Sequence, residues 1–128
     1  MVSSDARRSA LAVAVALLLC GCREGAELHV AQDMQSVSFS LERRDAPACI
    51  DSISVYPSAP DSAAPIWDAS RDRTAAGCVT RLRYGELPNG FGARTAAVPL
   101  QPGASYRVMA SGAGFSAAAQ FARSLPED

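Results

Sequence analysis

Past position 35 the chain alternates polar and apolar side chains in short runs punctuated by Pro, Gly, Asn and Asp. A period of two marks strands that bury one face, because successive side chains leave a strand on opposite sides. The run Gln35-Ser36-Val37-Ser38-Phe39-Ser40-Leu41-Glu42 predicts a strand with Val37, Phe39 and Leu41 inward. A second run, Cys49 to Tyr56, keeps Cys49, Ile53 and Val55 in phase and is stopped by Pro57. Pro57 to Pro65, rich in Pro, Ala, Ser and Asp, predicts a loop. A short apolar piece, Ile66-Trp67, and a solvated loop at Arg71-Asp72-Arg73 follow. Cys78 to Tyr84 alternates again, with Cys78, Leu82 and Tyr84 opposed to Arg81 and Arg83, and Pro88-Asn89-Gly90 turns the chain.

The last third predicts a meander of three strands. Ala96, Val98 and Leu100 alternate, and Leu100-Gln101-Pro102-Gly103 turns. Tyr106, Val108 and Ala110 alternate, Gly112-Ala113-Gly114 turns, and Phe115, Ala117, Ala119 and Phe121 finish. The alanines of Ser116 to Ala122 suit a helix by composition, but the glycine turn before them and the alternating Phe predict a strand. Six or seven strands in about 95 residues predict an all-β chain, a single antiparallel β-sandwich of about seven strands.

Composition changes the picture mainly by exclusion. The 128 residues carry 12 Lys+Arg against 13 Asp+Glu, a net charge of -1, so no basic face is present to draw nucleic acid. Every one of those cations is Arg, which excludes lysine Schiff bases and a phosphate-loop lysine.

The N-terminus differs from the rest. Arg7 and Arg8 precede an unbroken apolar run, Ala10 to Leu19, closed by Cys20-Gly21-Cys22. These are the parts of a secretory signal. A helix of that length spans roughly 15 to 20 Å against the ~30 Å of a hydrocarbon core, so a retained spanning anchor is not expected. Leu19-Cys20-Gly21-Cys22 resembles the bacterial lipobox: Leu, then a small residue just before the cut, then the cysteine that receives lipid. Cys20 departs from that pattern, which more often has Ala or Ser there. An ordinary cleaved signal fits less well, since cutting before Cys22 or before Glu27 leaves Leu19 or Glu24 where a small residue is needed. Arg7-Arg8 lacks the rest of a twin-arginine signal.

The lipobox resemblance implies a cleaved lipoprotein signal peptide over 1–21, a diacylglycerol on the Cys22 sulfur and a further acyl chain on its amine. Two or more chains anchor a protein stably where one does not. It further implies a lipid-anchored place in the cell envelope. Arg23 after the anchor, where Asp would retain an enteric-type lipoprotein in the inner membrane, is compatible with the periplasmic face of the outer membrane if the source has two membranes. Residues 22–34 are then expected to be lipidated N-terminus and tether, 35–123 the sandwich, and 124–128 a polar tail. With Cys20 removed and Cys22 lipidated, Cys49 and Cys78 remain, and in an exported domain they most simply form one disulfide. A metal or redox site is the poorer reading, because neither has a CxxC partner and the only histidine is His29.

Leu100-Gln101-Pro102-Gly103-Ala104-Ser105-Tyr106-Arg107-Val108 resembles the tyrosine corner of fibronectin type III and immunoglobulin-like sandwiches. That resemblance implies a Tyr106 whose ring fills the core while its hydroxyl bonds backbone just upstream; the plain alternative is a core aromatic. Cys49, Trp67 and Cys78 occur in immunoglobulin order, but Cys78 precedes the corner instead of following it. The sandwich is therefore expected, and the antibody-type disulfide is not.

No catalytic, cofactor-binding or metal-binding residue is expected, and no cofactor. His29 fits tether or first-strand surface. Gly103 to Arg107 lacks the final Gly of a nucleophile elbow, and Gly112-Ala113-Gly114 lacks the helix of a phosphate loop. Asp51, Asp68, Asp72 and Glu86 fit solvated turns and outer faces, and Asp68 and Asp72 lack the oxygen spacing of a calcium loop. Trp67, Tyr84 and Phe91 suit either a binding surface or the core. Two functions remain as expectations. The first is a non-catalytic envelope lipoprotein, membrane-anchored through lipid, that binds another envelope protein through an edge strand or the loops at 57–65 and 68–77. The second is a small carbohydrate-binding or hydrolytic envelope protein using Trp67 and nearby acids.

Overall fold

In the computed structural model, which describes residues 25–124, the alternation of Val37, Phe39 and Leu41 becomes strand β2 (Val37–Arg43), with all three side chains buried. β1 (Glu27–Gln32) lies antiparallel along one side of it, and β3 (Ala46–Pro47) and β6 (Arg81–Arg83) along the other. The second sheet holds β4 (Ser52–Pro57), β5 (Trp67–Arg71), β7 (Phe91–Thr95), β8 (Ser105–Gly112) and β9 (Phe115–Ala122), ordered β7-β5-β4-β8-β9 and antiparallel throughout. The described residues contain no helix.

The inward faces of both sheets close on one apolar core. Phe39 and Leu41 come from the first sheet, and Ile53, Val55, Trp67, Ala69, Val108 and Ala110 from the second. The rings of Phe39 and Phe121 meet edge to face with centroids 5.6 Å apart, and Phe121 leans on Tyr106 at 5.5 Å. Truncating a buried phenylalanine such as Phe39 to alanine removes this contact and leaves a cavity, a change that costs about 3–5 kcal/mol. The fold is all-β and sandwich-like, as the alternation predicts, but it has nine strands among the described residues, because β1 and the two-residue β3 were not expected.

Four expectations are corrected. The ordered sheet begins at Glu27, inside the stretch expected to be tether, because Leu28 and Val30 alternate with outward residues and pack on the core. The first strand of the meander does not form at 96–100; β7 lies just upstream and pairs with β5, while Pro99 has no N–H to give and Val98 bonds Ile66 instead. Cys49 stands ahead of β4 rather than in it, and Asp68 and Arg71 belong to β5 rather than to a loop. The β8–β9 hairpin forms as predicted, turning at Ala113 and Gly114, where Gly114 has φ 83°, a left-handed conformation that glycine adopts without cost to a side chain.

The strand directions sort the connections into two poles. One gathers the β2–β3 turn, residues 48–51, residues 72–77 and the β8–β9 turn, tied by Asp51 N–H to Ser111 O at 2.7 Å and Arg71 N–H to Asp51 O at 2.8 Å. The other gathers residues 33–36, 57–66, 84–86 and 97–104, tied by Ser58 N–H to Ser105 O at 3.0 Å and Tyr84 N–H to Val37 O at 2.8 Å, while the chain after Glu86 runs back to the first pole, where Asp72 N–H bonds Gly90 O at 2.7 Å.

Candidate functional site

At the first pole Cys49 and Cys78 are joined by a disulfide across a separation of 29 residues. Around it Arg71, at the end of β5, ties the segment before β4 to the loop at 72–77. Its Nε lies 3.2 Å from Asp51 Oδ1, and an Nη donates to the carbonyls of Gly77 at 2.9 Å and Ala75 at 3.3 Å. Gly112 is needed here for space, since a Cβ would come 2.5 Å from the carbonyl oxygen of Cys49. Arg43 stacks its guanidinium 5.0 Å over the ring of Phe115. The adjoining β2–β3 turn places Arg44 (φ 55°) and Asp45 (φ 61°) both in the left-handed region, as a tight hairpin of this twist demands.

The opposite pole is built on two tyrosines. Tyr106 is buried, and its hydroxyl accepts the backbone N–H of Gln101 at 2.8 Å, a contact with backbone just upstream. Tyr84 packs edge to face on Trp67 with centroids 5.1 Å apart and donates its hydroxyl to Val98 O at 2.5 Å. Burial pushes the Tyr84 phenol up to about 12, helped by neighbouring Tyr106. Asp33 caps the β1–β2 turn: its Oδ1 accepts the N–H groups of Gln35 and Ser36, each at 2.7 Å, which hold its carboxyl below the ordinary value. Arg123 closes the corner by donating to Asp33 O at 2.8 Å and Met34 O at 3.1 Å. Between these groups lies a polar cleft of about 450 Å³ that also exposes Arg83 and Glu86, themselves 3.4 Å apart.

The carboxylates singled out in the sequence take separate partners. Asp51 faces Arg71 at one pole and Glu86 faces Arg83 at the other. Asp68 accepts the Ser54 hydroxyl at 3.2 Å on the outer face of the second sheet, and Asp72 accepts the N–H and hydroxyl of Thr74, which lower its pKa. Trp67 is 1 % exposed, so its ring is a core element and offers no face for a sugar to stack on. Phe91 likewise packs against the core. The signal segment and Cys22 lie outside the described residues.

One grouping went unnoticed in the sequence. Glu27, His29 and Glu42 bring one ligand atom each to within 4.8 Å of one another on the outward face of β1 and β2. The signal was the alternation of Leu28 and Val30, which fixes Glu27 and His29 on the opposite face; that Glu42 lies beside them depends on the pairing of β1 with β2.

Compared with known protein families, with characterised proteins and with solved structures, the chain matches none.

Proposed function

We propose that this chain is a non-catalytic envelope lipoprotein, lipid-anchored through Cys22, whose fibronectin type III or immunoglobulin-like sandwich binds another envelope protein. The observation that carries the reading is the lipobox-like Leu19-Cys20-Gly21-Cys22 followed almost at once by folded chain, with β1 starting at Glu27. The Cys49–Cys78 disulfide supports it, since such bonds persist outside the reducing cytosol.

The spacing gives the anchored molecule an orientation. Five residue steps from Cys22 to Glu27 reach at most about 17 Å when fully extended. β1 enters at the disulfide pole, so that pole faces the bilayer and the tyrosine pole points away from it. The loops at 57–65 and 72–77 therefore have different neighbours: the first is offered to a protein partner, the second to lipid headgroups. For a source with two membranes, Arg23 favours the periplasmic face of the outer one.

Intact-mass analysis of membrane fractions tests the anchor. An acylated product beginning at Cys22 is expected, and Cys22→Ser should abolish it. Recovering the unprocessed chain from the cytosol with Cys49 and Cys78 as free thiols would refute the reading. Photo-crosslinkers placed at Ser62 and at Ala76 then test the orientation, with protein adducts expected from the first position and not from the second.

A further inference from the structure

The outward face of β1 and β2 carries a donor set that the proposed anchoring does not use. Glu27 and His29 are two residues apart on β1, and Glu42 is the direct cross-strand partner of Glu27. Leu28 and Leu41 are turned toward the core, so the three polar side chains stand together on the solvent side of a continuous ladder. We propose that Glu27, His29 and Glu42 form a binding site for one divalent first-row transition-metal ion, with Zn²⁺ as the representative.

Distance is the first argument. His29 Nε2 lies 3.5 Å from Glu27 Oε2 and 3.2 Å from Glu42 Oε2. Ligands bonded to tetrahedral zinc at about 2.1 Å are separated by about 3.4 Å, the edge of the tetrahedron.

Donor chemistry is the second argument. Two carboxylates balance a double positive charge, and the imidazole selects for zinc, copper or nickel over calcium and magnesium, which take oxygen ligands. Backbone position is the third. The ladder from Glu27↔Glu42 to Gln32↔Val37 holds the three Cα atoms in place before any ion arrives, so binding orders only side chains. Three protein donors leave a further coordination position open, to water or to a donor from another molecule.

His29 is the sole histidine, so its imidazole nitrogens can be observed alone in a long-range ¹H–¹⁵N spectrum of the untagged, metal-stripped full chain in detergent. Titration with ZnCl₂ should move the Nε2 resonance and saturate at one ion per chain, while CaCl₂ and MgCl₂ at equal concentration leave it in place. By equilibrium dialysis, His29→Ala should weaken Zn²⁺ binding by at least the roughly tenfold that loss of even an outer partner causes, and Glu27→Gln and Glu42→Gln should each weaken it too. All three side chains are solvent-facing, and circular dichroism will show that the variants keep their strands. An Nε2 resonance unmoved at millimolar Zn²⁺, or equal Zn²⁺ binding by the parent and His29→Ala, would overturn the site whether or not Cys22 is lipidated.

Discussion

At the disulfide pole Cys49 and Cys78 tie the segment before β4 to the segment before β6, and Arg71 adds polar bonds around the link. At the tyrosine pole the connections are held by side-chain hydrogen bonds with backbone: Tyr106 accepts from Gln101, Tyr84 donates to Val98, and Arg123 donates to Asp33 and Met34. The difference lies in where the stabilisation acts. A cross-link restricts the unfolded chain, so its effect is spread over the whole domain and is indifferent to pH below the range of thiol exchange. A side-chain bond to backbone acts on one loop in the folded state, and it responds to the loss of one atom or one proton.

Opening the disulfide should have the largest effect. A loop of about 30 residues corresponds to about 3.5 kcal/mol in the chain-entropy treatment, and reduction should lower the melting temperature by roughly ten degrees or more. Calorimetry with and without reductant measures this, and an unchanged transition would end the contrast between the poles. Arg123→Ala comes next, at about 1.5 kcal/mol, because charged donors to backbone carbonyls contribute more than neutral ones. Its loss of amide protection in hydrogen exchange should be confined to residues 33–36 and 101–104; protection lost equally around Cys49 would mean that the poles are not independent. Tyr106→Phe should cost about 1 kcal/mol in denaturant unfolding, since the Gln101 N–H then loses its partner.

The pH effects are confined to the two ends of the pH range and have opposite signs. Tyr84 titrates in the folded state at about 12 against an ordinary 10, so the neutral phenol is favoured by folding. Its contribution is complete below pH 10 and is lost as pH rises from there to about 12, and Tyr84→Phe should flatten that limb of a stability–pH curve. Asp33 is displaced the other way by the Gln35 and Ser36 N–H groups. Its contribution is complete above the ordinary carboxylate value and is lost as pH falls through the depressed one, so Asp33→Asn should flatten the acid limb. A curve unaltered by both substitutions would show that the tyrosine pole does not titrate as the burial of Tyr84 and the hydrogen bonds to Asp33 require.

The candidate sites were unevenly legible. Val37, Phe39 and Leu41 announced β2 because a half-buried strand leaves a period of two in the chain, and Tyr106 announced its corner through the Pro-Gly turn before it. β1 carries the same period in Leu28 and Val30, but closeness to Cys22, the expected lipidation site, made its residues look like tether. Trp67 gave no local sign of which side it would face, and only its packing under Tyr84 made it core. The partners of Arg123 are Asp33 and Met34, ninety and 89 positions away, and no local pattern specifies such a pairing.

What the amino-acid order settled alone was which face of β2, β4, β6, β8 and β9 is apolar, where most of the chain's turns fall, and that Cys49 and Cys78 were available to pair. Which strand lies beside which was settled by folding. That decision sent β7 to β5 and set Glu42 beside Glu27 and His29. The physical reason is that alternation encodes a side chain's direction relative to its own backbone, whereas neighbours across a sheet are chosen by how all the apolar faces can be buried at once.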